Sequence, residues 1–235
     1  MSLADKFSQP SPYWVKDIKN KVYTRITEAP FAIACREGNK KVMQGLVIDL
    51  WPFVDVFPEL VKQGYRTLLK PSFIFRYGVR NLFQLVRKSM QLLASIGRDE
   101  KEHRQLWLDT GTALGLVYPK DFPKNPTPQT KLWLESVSNN TKPFNMLLSY
   151  VAIEMIAESI SKNLLSSDAF ASILGRDGIR WFDVHAVDHG DISHEALEFH
   201  LGFAFHENEP NKEEANRIIQ HVVSKFLDSA NACGV

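Results

Sequence analysis

Apolar positions recur every three or four residues over most of the chain, and the period-two alternation that builds strands is nearly absent. Between Tyr13 and Ile26, Trp14, Ile18, Val22 and Ile26 fall one turn apart, which predicts an amphipathic helix closed by Pro30. A short helical piece over 31–36 and a Glu37-Gly38-Asn39 turn follow. Residues 42–69, VMQGLVIDLWPFVDVFPELVKQGYRTLL, are apolar on most faces and predict a buried helix. Pro52 and Pro58 lack the N–H that an interior helical residue donates, so a bend or break is expected there.

The helical pattern resumes over 77–96, with Gly97 as the expected kink and 99–116 as the continuation. YPKDFPKNPTPQ, with four prolines in twelve residues, reads as a loop. Helices are expected at 129–137 and 142–164, and Ser166-Ser167-Asp168 is a cap for another that starts near Ala169. A turn at 175–178 separates that helix from long ones over 179–206 and 211–229, the last headed by Pro210 and followed by Glu213 and Glu214. No internal repeat or linker interrupts the pattern. The expected organisation is one all-α domain over 1–235, a bundle of seven or eight helices with residues 1–11 loosely ordered.

Composition acts mainly by exclusion. At 44% hydrophobic and 23% charged the chain is an ordinary globular sequence, and a formal net charge of +1 supplies no field for nucleic acid or an anionic membrane, so neither partner is expected. No stretch reaches the roughly 18 apolar residues of a membrane-spanning helix. The opening MSLADKFSQPSPYW carries no apolar core of signal-peptide length, and Cys35 and Cys233 match no disulfide, zinc or redox spacing. The cytoplasm is the expected compartment.

Three places carry candidate chemistry. In RDEKEHRQLW, Glu100 and His103 stand at i and i+3, about 60° apart around a helix, so both reach one point beside it. A carboxylate with an imidazole suits iron, manganese or zinc, and Glu-x-x-His recurs in helix-bundle metal proteins. In YVAIEMIAE, Glu154 stands among Leu147, Leu148, Val151, Ile153, Met155 and Ile156, where a carboxylate needs a partner or a metal. Glu158, one turn on, is the alternate. The densest cluster is WFDVHAVDHGDISH, with His185, Asp188, His189, Asp191 and His194 inside fourteen residues. His185 and His194 are nine residues apart and point oppositely on a regular helix, so one shared site requires a distortion, for which Gly190 is suited. His200, His206 and His221 are isolated and are read as surface or packing residues.

In order along the chain, Glu-x-x-His, a buried helical glutamate and a His/Asp/His segment resemble the haem-oxygenase-like helical proteins. That group includes thiaminase II, the pyrroloquinoline-quinone synthase and the chlamydial death-domain-associating protein. The resemblance is strongest to its non-haem di-iron oxidases and oxygenases, among them a fatty-acid decarboxylase that makes terminal alkenes. Ala29-Pro30-Phe31, Gly38 and the run from Trp51 to Pro58 are similar to the family's opening helices, and the likeness extends over 12–206. It implies Glu100 and His103, then Glu154, then a His-x3-Asp-x2-His set as metal ligands. Asp191 and His194 match the end of that set, but its first histidine falls at Val187, and His185 lies two residues early. An inserted stretch that restores His185, a replacement by His189, or one lost metal position each accounts for this.

The resemblance therefore implies iron, as one or two ions or another divalent metal, held by Glu100, His103, Glu154, His185, Asp191 and His194, with Glu158, Asp188 and His189 as alternates. The implied activity is an O2-dependent oxidase or oxygenase on a small organic or fatty-acid-like substrate, in a chamber lined by Phe53, Phe57, Phe73, Phe75 and Phe83. A homodimer is compatible with the fold. Two alternatives stand beside it: a metal-free thiaminase II-like enzyme with Cys35 as nucleophile and Cys233 in a frayed tail, and a non-catalytic interaction protein with a degenerate site.

Overall fold

The computed structural model describes residues 12–68, 72–187, 194–206 and 212–233, and every regular element among them is an α-helix. These are α1 (Tyr13–Thr27), α2 (Pro30–Arg36), α3 (Lys40–Leu68), α4 (Ser72–Ala113), α5 (Pro128–Ser138), α6 (Pro143–Leu165), α7 (Asp168–Gly178), α8 (Arg180–Ala186), α9 (His194–Phe205) and α10 (Lys212–Asn231). The count is ten against the expected seven or eight. Two seven-residue helices, α2 and α8, are too short for periodicity to isolate, and 179–206 is not one helix but α8 and α9. No helix among the described residues is long and apolar enough to cross a membrane. Residues 1–11 and Pro210 lie outside the described residues.

Local signals explain most boundaries. Gly38, at φ 77°, closes α2 with its N–H on Cys35 and that of Asn39 on Ala34, a left-handed cap that glycine adopts without Cβ strain. The Asn39 side chain then accepts from the Val42 N–H and opens α3. Ser167 caps α7 by accepting from the Phe170 N–H at 3.2 Å.

The prolines of α3 do not break it. The helix runs through Pro52 and Pro58. An interior proline costs about 3 kcal/mol, but Leu46, Val47, Leu50, Trp51, Phe53, Phe57 and Val61 are all buried, and each large apolar side chain returns about 1.5–3 kcal/mol. Gly97 is also not the kink. It stays helical, with its missing Cβ directed at Pro58 and Val61 of α3, and the non-helical residue of α4 is Gly78, at φ 69°.

The core centres on α6, against which α1, α8, α9 and α10 pack. Leu147, Leu148, Val151, Ala152, Met155 and Leu164 of α6 are fully enclosed. Its only acidic residues are Glu154 and Glu158, so each carboxylate faces a largely apolar neighbourhood in which it needs a partner.

Candidate metal centre

The site is built where α4 meets the segment from Gly178 to His185. Thr110 Oγ1 donates to the Gly178 carbonyl at 2.8 Å. One turn up, the rings of Trp107 and Trp181 meet edge to face with centroids 4.7 Å apart. Another turn up, the rings of His103 and His185 lie 4.4 Å apart. Residue numbers fall on one side as they rise on the other, so the two segments run antiparallel and present their side chains as paired rungs. The spacing of three and then four residues between rungs is about one helical turn on each side. Gly178 lets the base of this ladder close, since a Cβ there would sit 2.6 Å from Ala113 Cβ.

The top rung is the chemical one. One donor atom each from Glu100, His103 and His185 lies within 4.8 Å of the others, close enough for a single ion. His103 Nδ1 is 3.3 Å from Glu100 Oε1, and both side chains are largely buried. Nδ1 of His185 is 2.7 Å from the Trp181 carbonyl oxygen; an N–H there donates to that carbonyl and puts the lone pair on Nε2. The tautomer of a ligand histidine is set in just this way.

Glu154 projects from α6 into the same cavity as Glu100 and His185, and its charge acts on His103. The cavity encloses about 590 Å³, its open mouth included, and its remaining wall is Leu50, Phe53, Phe57, Trp107, Trp133 and their neighbours. Phe53 stacks on Trp133 at 3.8 Å. Two of the aromatics expected in this chamber are elsewhere: Phe75 is 93% exposed and Phe83 is 68% exposed, both on the outer face of α4. The side chain of Phe73 lies outside what is described.

Of the remaining expected ligands, only Glu158 has a described side chain. Glu158 binds Lys162 at 2.5 Å and Lys19 at 2.6 Å, so it serves an ion-pair network. Asp188, His189 and Asp191, with Gly190, lie outside the described residues. His194 begins α9, with its side chain likewise outside the description. Among the isolated histidines, His206 lies 3.0 Å from Glu214, His200 is buried and His221 is exposed.

Two residues of importance escaped the sequence pattern. Glu195 and Glu198, on α9, are buried. Glu195 pairs with Lys19 at 3.1 Å. Glu198 is fully enclosed, and neither of its carboxylate oxygens has a hydrogen-bond partner among the described residues. The signal was available: Glu198 is a lone acid in the apolar run Ala196 to Phe205, the feature that singles out Glu154 on α6.

Electrostatics follows from this crowding. Burial, then the charges of Glu154, Glu195 and Glu100, hold the Glu198 carboxyl well above its usual range. Burial also raises Glu195, against the opposing pull of Lys19. For His103, burial favours the neutral ring, but the hydrogen bond to Glu100 and the charges of Glu100, Glu154 and Asp99 together outweigh it and raise the pKa. All three groups hold protons more tightly folded than unfolded. Their stabilising contribution is complete below the unfolded values, 4.5 for the glutamates and 6.5 for the histidine, and is lost as pH rises through the folded ones. The chelator-treated protein should therefore melt at progressively lower temperature as pH is raised from about 5 to about 8. Thermal scans across that window check it, and a melting temperature that climbs with pH contradicts this account of the cluster.

Fold and site together define an all-helical protein with a carboxylate–imidazole cluster at the wall of an apolar cavity. Its structural neighbours are TenA homologues. One from Pseudomonas syringae pv. tomato aligns at a TM-score of 0.71 with 17% identity, over 100% of this chain and 96% of that one. Another, from P. horikoshii, aligns at 0.64 with 12% identity, over 100% and 99%. No protein-family model matches the sequence, and no curated protein does. At these identities the likeness is one of fold, and the chemistry has to be read from the side chains.

Proposed function

We propose that the chain is a non-haem iron enzyme, an O2-dependent oxidase or oxygenase acting on a small, largely apolar organic substrate. The observation that carries this reading is the convergence of Glu100, His103 and His185 within 4.8 Å at the wall of the apolar cavity. The donor set fits a divalent first-row metal: mixed carboxylate and imidazole, with the His185 tautomer already fixed by Trp181. The buried Glu198 carboxyl, which has no hydrogen-bond partner among the described residues, is a second mark of fit, since a cation would satisfy it.

Glu100, His103 and His185 would hold the ion, and Glu154 adds a further carboxylate from α6. Bound iron supplies the redox chemistry and the affinity for O2. The chain does the rest. Phe53, Phe57, Trp133 and Ile153 enclose the apolar body of a substrate and exclude water from it. The ladder of Trp107 on Trp181 holds α4 and α8 in the register that pairs the two histidines.

Anaerobic titration with ferrous ion, desalting and then exposure to O2 is the test. Iron should stay with the protein and O2 should be consumed in proportion to it. A wild-type chain that retains no iron overturns the proposal.

The metal-free, thiaminase II-like alternative needs an ionisable nucleophile. Cys35 is completely buried, outside the cavity lining, and burial pushes its thiol up to about 12. Cys233 is not in a frayed tail but buried, its thiol donating to the Ser229 carbonyl. An activity that survives chelation and is abolished by Cys35→Ser would favour this alternative.

A further inference from the structure

We infer that the outer face of α4 between Phe75 and Met90 is a docking surface for an anionic phospholipid bilayer. This goes beyond the metal-centre reading and does not depend on it.

The net charge of +1, which by itself argues against an anionic membrane, conceals a segregation. Residues 60–98 hold eight of the chain's 28 basic residues and none of its 27 acidic ones. That stretch therefore carries +8 and the remainder of the chain −7. Arg80, Arg87 and Lys88 of the stretch are exposed on α4. The positions three and four residues to either side of Arg80 and Arg87 hold no acid, because the acids that flank the stretch are Glu59 and Asp99.

Exposed apolar groups stand in the same place. Phe75, Val79, Phe83 and Met90 all face outward, Val79 at 73% exposure. Gly78 interrupts the helix, so Phe75 belongs to the turn before that kink. Beyond it, Val79, Phe83 and Met90 fall within about 40° of one another around α4, and Arg87 and Arg80 follow at about 80–100° from Val79. The buried residues Leu85, Ser89 and Leu93 lie on the other side. Asn81, Gln84, Lys88 and Gln91 complete the exposed surface beyond the kink, and each is an amide or a base. The result is an apolar ridge edged by guanidinium groups.

Such a ridge suits a helix lying in a membrane interface, where apolar side chains enter the acyl boundary while Arg and Lys meet phosphate headgroups. Two other occupants fit it less well. A second copy packed face to face would set the +8 stretch against itself, a like-charge repulsion that grows as water is excluded. An acidic protein would answer the charge, but only with carboxylates fixed opposite the arginines and a socket shaped for one helix. Fluid headgroups adapt to both.

The test is co-sedimentation of the full chain, treated with chelator, with vesicles of phosphatidylglycerol and phosphatidylcholine in equal parts or of phosphatidylcholine alone. Wild type should sediment with the anionic vesicles and stay in solution with the neutral ones. One basic residue near an anionic surface is worth about fivefold in affinity, so Arg80→Gln with Arg87→Gln should bind about 20–30-fold more weakly. Val79→Ser with Phe83→Ser leaves the charge intact and should still cost about tenfold, because the apolar side chains no longer enter the acyl boundary. Lys40→Gln with Lys41→Gln, and Leu132→Ser, change exposed residues elsewhere and should bind as wild type does. All these positions are exposed, so melting temperatures should hold; if one patch pair folds poorly, the other decides by the same comparison. A wild type that ignores anionic vesicles, or binds both kinds equally, overturns the inference, as does binding that the patch pairs leave unchanged. Dimerisation that Val79→Ser with Phe83→Ser abolishes, without lipid binding, gives the face to a second copy and overturns it too. So does a chain that ignores vesicles but binds poly-glutamate through Arg80 and Arg87, which points to an acidic protein. Because the chelated chain is used, loss of vesicle binding and loss of iron retention are separate failures.

Discussion

Replacing His103 with alanine should abolish the thermal response to metal while leaving the chain folded. At an ion concentration a hundredfold above its dissociation constant, binding to the native state alone adds about 2.7 kcal/mol. For a chain of this length each kcal/mol moves the melting temperature by about 2–4 °C, so wild type should rise by about 5–10 °C. Loss of an outer partner of a ligand typically costs about 10–100-fold in metal affinity, and loss of the ligand itself should cost at least the upper figure, about 2.7 kcal/mol, which cancels the rise. The fold should survive because His103 is only partly buried, and its hydrogen bond to Glu100 and ring contact with His185 belong to the site rather than to the apolar core. Glu158→Gln is the matched control, since that side chain serves Lys19 and Lys162 and its variant should keep the full metal response. Parallel melts of the three proteins with and without ferrous ion check the prediction. An undiminished rise in His103→Ala removes His103 from the centre.

The legibility of this site in the sequence divides along a physical line. Glu100 and His103 were readable because both stand on one helix, where i and i+3 fix their relation whatever the rest of the chain does. Glu154 was readable because a lone acid in an apolar helix is costly anywhere. The same reasoning applies to Glu198, but the histidine-rich run just before it draws attention away from the helix that follows. Selecting among the residues of 185–194 was not possible from spacing, because a regular helix cannot bring His185 and His194 to one point and the position of the break depends on packing. The structure brings His185 to the α4 pair; Asp188, His189 and Asp191 fall outside the described residues. Phe75 and Phe83 fail for a related reason. A helix pattern tells which residues share a face but not which face is buried: α4 buries Leu85, Val86, Ser89 and Leu93, and Phe83 is turned outward. At the prolines of α3, of the expected bend or break the break is absent, because burial of the whole segment holds the helix continuous through both.

The second large effect should come from Trp107, which touches neither ion nor substrate polar group but sets the register of the site. Its ring is buried, its Nε1–H donates to the Val47 carbonyl of α3 at 3.1 Å, and its faces and edges meet Trp181 and Phe182 of α8. It therefore joins three helices one turn below His103 and opposite the residue one turn below His185. Trp107→Ala removes all of these contacts together and should cost about 3–5 kcal/mol, as large aromatic-to-alanine changes in cores do. At about 2–4 °C per kcal/mol the melting temperature should drop by about 10 °C. The informative part is what happens to metal in the protein that remains folded at low temperature. With the rung beneath them gone, the histidines lose the packing that holds their rings 4.4 Å apart, so affinity should fall although every ligand is still present. Trp107→Phe keeps an aromatic ring against Trp181 and loses the hydrogen bond to α3. It should show a smaller loss of stability and near-normal metal retention. If Trp107→Ala destabilises the fold but binds metal as tightly as wild type, the ladder is only core packing, and the geometry of His103 and His185 is set by their own helices alone.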